Sequence, residues 1–134
     1  MALQVGDTAS QTKTITDKDI YTFADLVDDH NPVHLDDAYA QKTRFGRRIA
    51  HGMLSASLIS AVLANQLPGE GTVYLSQTLQ FVAPVFPGDT VTARVTVIKV
   101  REDKGIITLQ TLCTNQSDEP LIKGEAVVLA ASTN

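Results

Sequence analysis

One cysteine, Cys113, occurs in 134 residues, so no internal disulfide can form. A chain without staples depends on its core. This length suits one domain, spanning 1–134, that buries most of its apolar surface. A lone thiol also fits a reducing compartment, and a cytoplasmic location is expected. Excess positive charge is missing too. The net charge is −4, which excludes the dense basic face that nucleic acid needs. No apolar run is long enough for a membrane. Met53 to Leu67 is interrupted by Ser55, Ser57, Ser60, Asn65 and Gln66, and a span requires roughly 20 apolar residues. The opening "MALQVGDTAS" has neither a basic nor an apolar segment, so no signal peptide is expected. The G-x-S-x-G elbow, the P-loop and the G-x-G-x-x-G fingerprint are all absent. Cys113 lies in a strand pattern and reads as core, not as a nucleophile.

The residues present, 43% hydrophobic and 19% charged, describe a globular chain. Its first half is helical and its second half strand-rich. In "TITDKDIYTFADLVDD", Thr16 can cap a helix, with Asp19 three residues on. Ile20, Phe23, Ala24 and Val27 then form a stripe at i, i+3, i+4 and i+7. Asn31-Pro32 ends that helix, because a residue before proline is pushed out of the helical region. "LDDAYAQKTRFG" predicts a short second helix, stopped near Gly46. "HGMLSASLISAVLANQLPG" predicts a third, apolar or small nearly all round and hence buried on most sides. Four strand-like runs follow: "TVYLSQTLQFVAPV", "DTVTARVTVIKV", "GIITLQTLCT" and "PLIKGEAVVLAA". "ASQTKTI" adds a strand near the N-terminus. Short turns imply antiparallel pairing. The fold class is α+β, a buried helix against an antiparallel sheet of about five strands. One helix on one sheet leaves an edge and part of a face open, which a homodimer would cover.

Chemistry concentrates in "DDHNPVHLDD", Asp28 to Asp37. Asp28 and Asp29 fall at the negative end of the first helix, where carboxylates oppose the dipole by roughly 0.3–1 kcal/mol. That is a poor choice for stability and an expected one for a site, although exposed loop carboxylates are the plainer explanation. His30 and His34 are four apart, a metal-ligand spacing on a continuous helix. Pro32 interrupts the helix and no Cys or Glu cluster stands nearby, so no metal is expected. An acid/base pair fits better. The Asn-Pro bend can return His34 toward Asp29, and the two can share a water. In "AHGML", Gly52 starts the buried helix. Its N–H has no intrahelical partner and no side chain blocks it, which suits a developing oxyanion. "KTRFGRR" gathers Lys42, Arg44, Arg47 and Arg48. Arg44 and Arg47 could receive the phosphates of a carrier such as coenzyme A, where a solvated basic loop is the plainer alternative.

"FADLVDDHNPVHLDDAYA" resembles the signature of the MaoC-like, or hydratase 2, family. That pattern is Asp, a variable residue, Asn-Pro, an aliphatic residue and His: here Asp29, His30, Asn31, Pro32, Val33 and His34. The Gly or Glu usual before the Asp is Asp28. "RRIAHGMLSASLIS" and "FVAPVFPGDTVTARV" are similar to the family's second and third blocks. The length and the closing "GEAVV" bring the chain near the short (R)-specific enoyl-CoA hydratases of polyhydroxyalkanoate synthesis. The resemblance implies a hot-dog fold, a sheet wrapped around a long central helix, working as a homodimer. It implies an acyl-CoA substrate; no cofactor is expected, coenzyme A being part of that substrate. It also implies Asp29 and His34 as the catalytic pair and the Gly52 N–H as donor to the thioester carbonyl. Asn31 then counts with the substrate-binding residues. Helical periodicity from Gly52 adds Ala56, Ser60 and Leu63. Ser60 is expected near Asp29, and Leu63, with Val128 of the last strand, at the end of a short acyl tunnel. Rival expectations are a hot-dog thioesterase, a dehydratase subunit acting on acyl carrier protein, and a non-catalytic acyl-CoA-binding module.

Overall fold

In the computed structural model, which describes residues 3–131, α4 (Gly52–Asn65) lies against a five-stranded antiparallel sheet. The strands are β1 (Thr8–Thr14), β2 (Val73–Phe81), β3 (Thr90–Arg101), β4 (Ile106–Thr114) and β5 (Pro120–Leu129), in spatial order β1-β3-β4-β5-β2. The first two and last three residues of the expected 1–134 span lie outside the described residues. Alternation places one face of β3 inward: Val91, Ala93, Val95 and Val97 are all fully buried. They meet Ile59, Val62 and Leu63 of α4, with Leu109, Ile122, Ala126 and Val128 from the neighbouring strands. Cys113 belongs to this core, and burial pushes its thiol up to about 12, so it stays protonated and unreactive. Pro68 and Gly69 close α4. Gly69, at φ +103, donates its N–H to the Leu63 carbonyl at 2.9 Å. Among the described residues, no helix is long and apolar enough to cross a membrane.

The two sheet edges differ. β1 carries a threonine ladder, with Thr12 Oγ1 2.8 Å from Thr92 Oγ1 and Thr14 Oγ1 2.9 Å from Thr90 Oγ1. β2 instead exposes Val73, Leu75 and Phe81, each about half accessible. The outer face of α4 is likewise open at Met53, Ser57 and Ser60. The third helix is therefore buried on its sheet side and not on most sides.

Helices α1 (Asp17–Val27), α2 (Pro32–Leu35) and α3 (Asp37–Gln41) cover the other end of the fold. The capping box is present: Thr16 Oγ1 accepts the Asp19 N–H at 3.1 Å, and Asp19 Oδ2 accepts the Thr16 N–H at 3.0 Å. That backbone bond holds the Asp19 carboxyl below its ordinary range. Ile20 and Ala24 of the expected stripe are buried, whereas Val27, in the last turn, is half exposed. α1 stops at Asp28, which takes a left-handed conformation, φ 60. Glycine adopts it more readily than a residue with a Cβ.

Candidate active site

The Asn-Pro break makes the site by making a new helix start. Asn31 caps α2, its Oδ1 accepting the Val33 N–H at 3.1 Å, and Pro32 occupies the first turn, where no N–H is needed. Asn31 thus serves the bend itself; its carboxamide oxygen is engaged with the backbone. One turn later His34 is carried inward and buried. Its Nδ1–H donates to the Ile49 carbonyl at 2.8 Å. A carbonyl only accepts, so this bond fixes the tautomer and leaves a lone pair on Nε2. Burial pushes the His34 imidazole below its ordinary pKa. The Ile49 bond opposes that shift, the neighbouring His51 adds to it, and the Asp29 charge opposes it. Asp29 is held through its main chain, its N–H donating to the Ala24 carbonyl at 3.0 Å.

Asp29, His34 and His51 converge: each offers an oxygen or nitrogen within 4.8 Å of the others. His51 was not singled out by spacing or motif chemistry. The available signal was an imidazole where Ser, Thr, Asp or Asn usually caps a helix. His30 points elsewhere, its Nε2 lying 3.1 Å from Asp25 Oδ1, so the His30–His34 spacing brings no ligand pair together. If a cation entered, Asp29, His34 and His51 would be its ligands. Two of their four ring nitrogens already face main-chain carbonyls at 2.8 and 3.0 Å.

Gly52 is the first residue of α4, and His51 before it supplies no side-chain cap. The Gly52 N–H therefore stands at the positive end of the helix without an intrahelical acceptor. It borders a cavity of ≈ 620 Å³ that His34, Arg44, Phe45, Phe81 and Ile122 also line. A Cβ on residue 52 would lie 2.7 Å from the Phe81 ring, so glycine is what lets this aromatic side chain close over the helix start. A neutral imidazole and a helix-start N–H thus border one largely apolar cavity, and the Asp29 carboxylate lies within 4.8 Å of a His34 ring nitrogen. Such a set can move a proton and stabilise a developing oxyanion.

The remaining candidates scatter. Arg44 lines the cavity. Arg47 instead lies over the Phe86 ring, 3.8 Å from its centroid. Arg48 is committed to structure, bonding Asp37 at 2.7 Å, Asp17 at 2.9 Å and the His34 carbonyl at 3.2 Å. Among the described residues Ser60 makes no hydrogen bond to Asp29, whose bonds run to Ala24, Asn31 and His51. Ser60 lines a second cavity, ≈ 380 Å³, with Ser57, Tyr74 and Gln77. Leu63 and Val128 line neither of these two cavities and pack in the core, 2% and 0% exposed. The reason is axial distance. Gly52 and Leu63 share a helix face but stand about 16 Å apart along the axis, by which point α4 has passed from the loop onto the sheet.

The fold and this site define a hot-dog domain with a carboxylate–imidazole pair at the start of its central helix. Residues 4–117 match the family model described as MaoC like domain. The chain belongs to the MaoC-like family. It is 51% identical over 127 residues to an (R)-specific enoyl-CoA hydratase of Rhodospirillum rubrum, covering 95% of this chain and 88% of that protein. It is 50% identical to an (R)-specific enoyl-CoA hydratase of Aeromonas caviae, covering 95% of each. The solved structure of the A. caviae (R)-hydratase involved in PHA biosynthesis superposes with a TM-score of 0.94 at 48% identity, covering 97% of this chain and 98% of that one.

Proposed function

We propose that the protein catalyses the reversible, (R)-specific addition of water to a trans-2-enoyl-CoA, giving the (R)-3-hydroxyacyl-CoA, with Asp29 and His34 as its acid/base pair. One observation carries the assignment of residues. His34 is buried with its Nδ1–H tied to Ile49, which leaves Nε2 free; its ring lies within 4.8 Å of the Asp29 carboxylate and lines the cavity that Gly52 borders. Water held between the two loses a proton to the pair as its oxygen bonds C3. The C2–C3 π electrons move toward the thioester, whose oxygen takes enolate character and is met by the Gly52 N–H. The pair then returns a proton to C2 on the same face. No cofactor enters this scheme, and coenzyme A arrives with the substrate. Arg44, which lines the cavity, would meet its phosphates, while Arg47 would have to leave Phe86 to do so. A short acyl chain belongs to this reading, with Leu63 and Val128 filling the core rather than lining the cavity at Gly52.

The working unit in this reading is a homodimer joined through β2 and the open face of α4, where Met53, Val73, Leu75 and Phe81 stand exposed in the protomer. Its place is the cytoplasm, consistent with a single unreactive thiol. The deciding experiment follows crotonyl-CoA by loss of the conjugated enoyl absorbance and assays free thiol in the same sample. Absorbance loss without thiol release, giving the (R)-product, is expected. Thiol release would mean a thioesterase. Activity confined to acyl carrier protein substrates would mean a dehydratase of that carrier. With His34→Ala, turnover is expected to fall at least about a hundredfold, and a folded variant of normal rate removes His34 from the mechanism.

A further inference from the structure

The piece that joins the reactive groups is His51. It is 2% exposed and immediately precedes Gly52. Its Nε2 donates to the Asp29 carbonyl oxygen at 3.0 Å, across 22 residues of chain. One side of its ring lies against His34, centroids 3.9 Å apart with planes at 30°. Phe23 of α1 meets it edge-on at 5.0 Å. Because the Asp29 carbonyl can only accept, the His51 proton sits on Nε2 and Nδ1 carries a lone pair. That Nδ1 is buried and has no partner among the described residues. His51 also occupies the N-cap of α4 without capping it. Ser or Asp there would satisfy a free N–H and stabilise the helix. A buried imidazole that leaves its own helix uncapped, and one of its own nitrogens unpaired, is explained by what it holds across the site.

We propose that His51 is the positioning residue of the catalytic pair, tying the Asp29 main chain to the start of α4 and backing the His34 ring. The proposal rests on the hydratase reading. Three groups would then keep one geometry through one residue: Asp29 by the hydrogen bond, His34 by ring contact and the Gly52 N–H by direct bonding. The other ties on Asp29 run back to α1 or forward along its own loop, with its N–H on Ala24 and its carboxylate 3.4 Å from the Asn31 N–H. Neither connects it to α4. Misplacement of a reacting group by about 1 Å can cost on the order of a hundredfold in rate.

The test compares wild type, His51→Phe and His51→Gln in crotonyl-CoA hydration, each also melted thermally. Phe keeps a ring against His34 but has no N–H. Gln restores an N–H near the Nε2 position. In His51→Phe, kcat is expected to fall about ten- to a hundredfold with KM within about twofold, and in His51→Gln to recover at least about threefold of that loss. Should His51→Phe not fold, His51→Asn replaces it, since its amide is too short to reach Asp29. It must then show the loss that His51→Gln largely escapes. Wild-type kcat in the Phe variant, or equal kcat in the Asn and Gln variants, overturns the proposal. An inactive wild type overturns the hydratase reading, and the proposal with it.

Discussion

Asp29→Asn removes a charge and leaves the fold almost untouched. The Asp29 main chain is held by Ala24 and His51, both at 3.0 Å, and these bonds do not involve the carboxylate. The carboxylate itself accepts one protein bond, from the Asn31 N–H at a long 3.4 Å, and a carboxamide oxygen can accept it equally. The melting temperature should therefore move by no more than a few degrees. Turnover should not survive so well. A carboxamide takes no proton from water, so the pair loses one of its two members, while His34 and the Gly52 N–H remain. Loss of one acid/base group costs about 10²–10⁴ in rate, and the lower bound corresponds to about 2.7 kcal/mol of barrier. The assay is kcat and KM for crotonyl-CoA beside a thermal melt. A folded variant whose kcat stays within about tenfold of wild type would show that Asp29 neither takes nor holds the reacting proton.

The remaining predictions concern pH, core and sheet. Burial lowers the His34 pKa from 6.5, so kcat/KM should be flat from neutrality to below that value and fall only in more acidic solution; an acid limb above 6.5 would contradict it. The stability linked to this group follows the same sign: it is complete above the ordinary value and lost as pH falls toward the folded one, because the unfolded chain binds the proton first. Leu63→Ala, at a position 2% exposed, should cost about 2–5 kcal/mol by denaturant titration and raise activity on longer acyl chains relative to crotonyl-CoA. Unchanged chain-length preference separates Leu63 from the tunnel. Gly124→Ala would set a Cβ 1.9 Å from the Thr78 carbonyl oxygen across β5 and β2. Backbone must move, so a loss of at least about 1–3 kcal/mol is expected, and wild-type stability would mean the strands approach less closely.

Elements with a strong period or a cap were legible in the chain. Thr16 and Asp19 marked the start of α1, and Val91, Ala93, Val95 and Val97 marked the inward face of β3. α2 was not, because a four-residue helix is too short to show a period; only Pro32 and Asn31 hinted at a new helix start. Asp28 was legible as a misfit, a carboxylate at a helix end, and it proved a double misfit with φ 60. Asp29, His34 and Gly52 stood out in the chain for local reasons, a carboxylate at a helix end, an imidazole past an Asn-Pro bend and a glycine at a helix start. Ser60, Leu63 and Val128 could not be placed from helix or strand phase alone. Phase gives a direction around an axis, while a cavity wall depends on which neighbour stands opposite. His51 belongs to the same class: its partner Asp29 is fixed by tertiary folding and not by spacing.

The unlike edges of the sheet set a limit on how large an assembly can grow. A sheet that can add strands at both margins extends without end, and that is how fibrils begin. Here only the β2 margin is apolar and open. At the opposite margin, Thr8, Thr12 and Thr14 turn their hydroxyls to threonines of β3, and Gln66 donates to the Ser10 carbonyl at 2.9 Å. Two chains that meet through β2 use up each other's only adhesive margin and present polar ones to the solvent. In the proposed homodimer growth would stop at a pair, and the enzyme could be abundant without becoming a seed for its own aggregation.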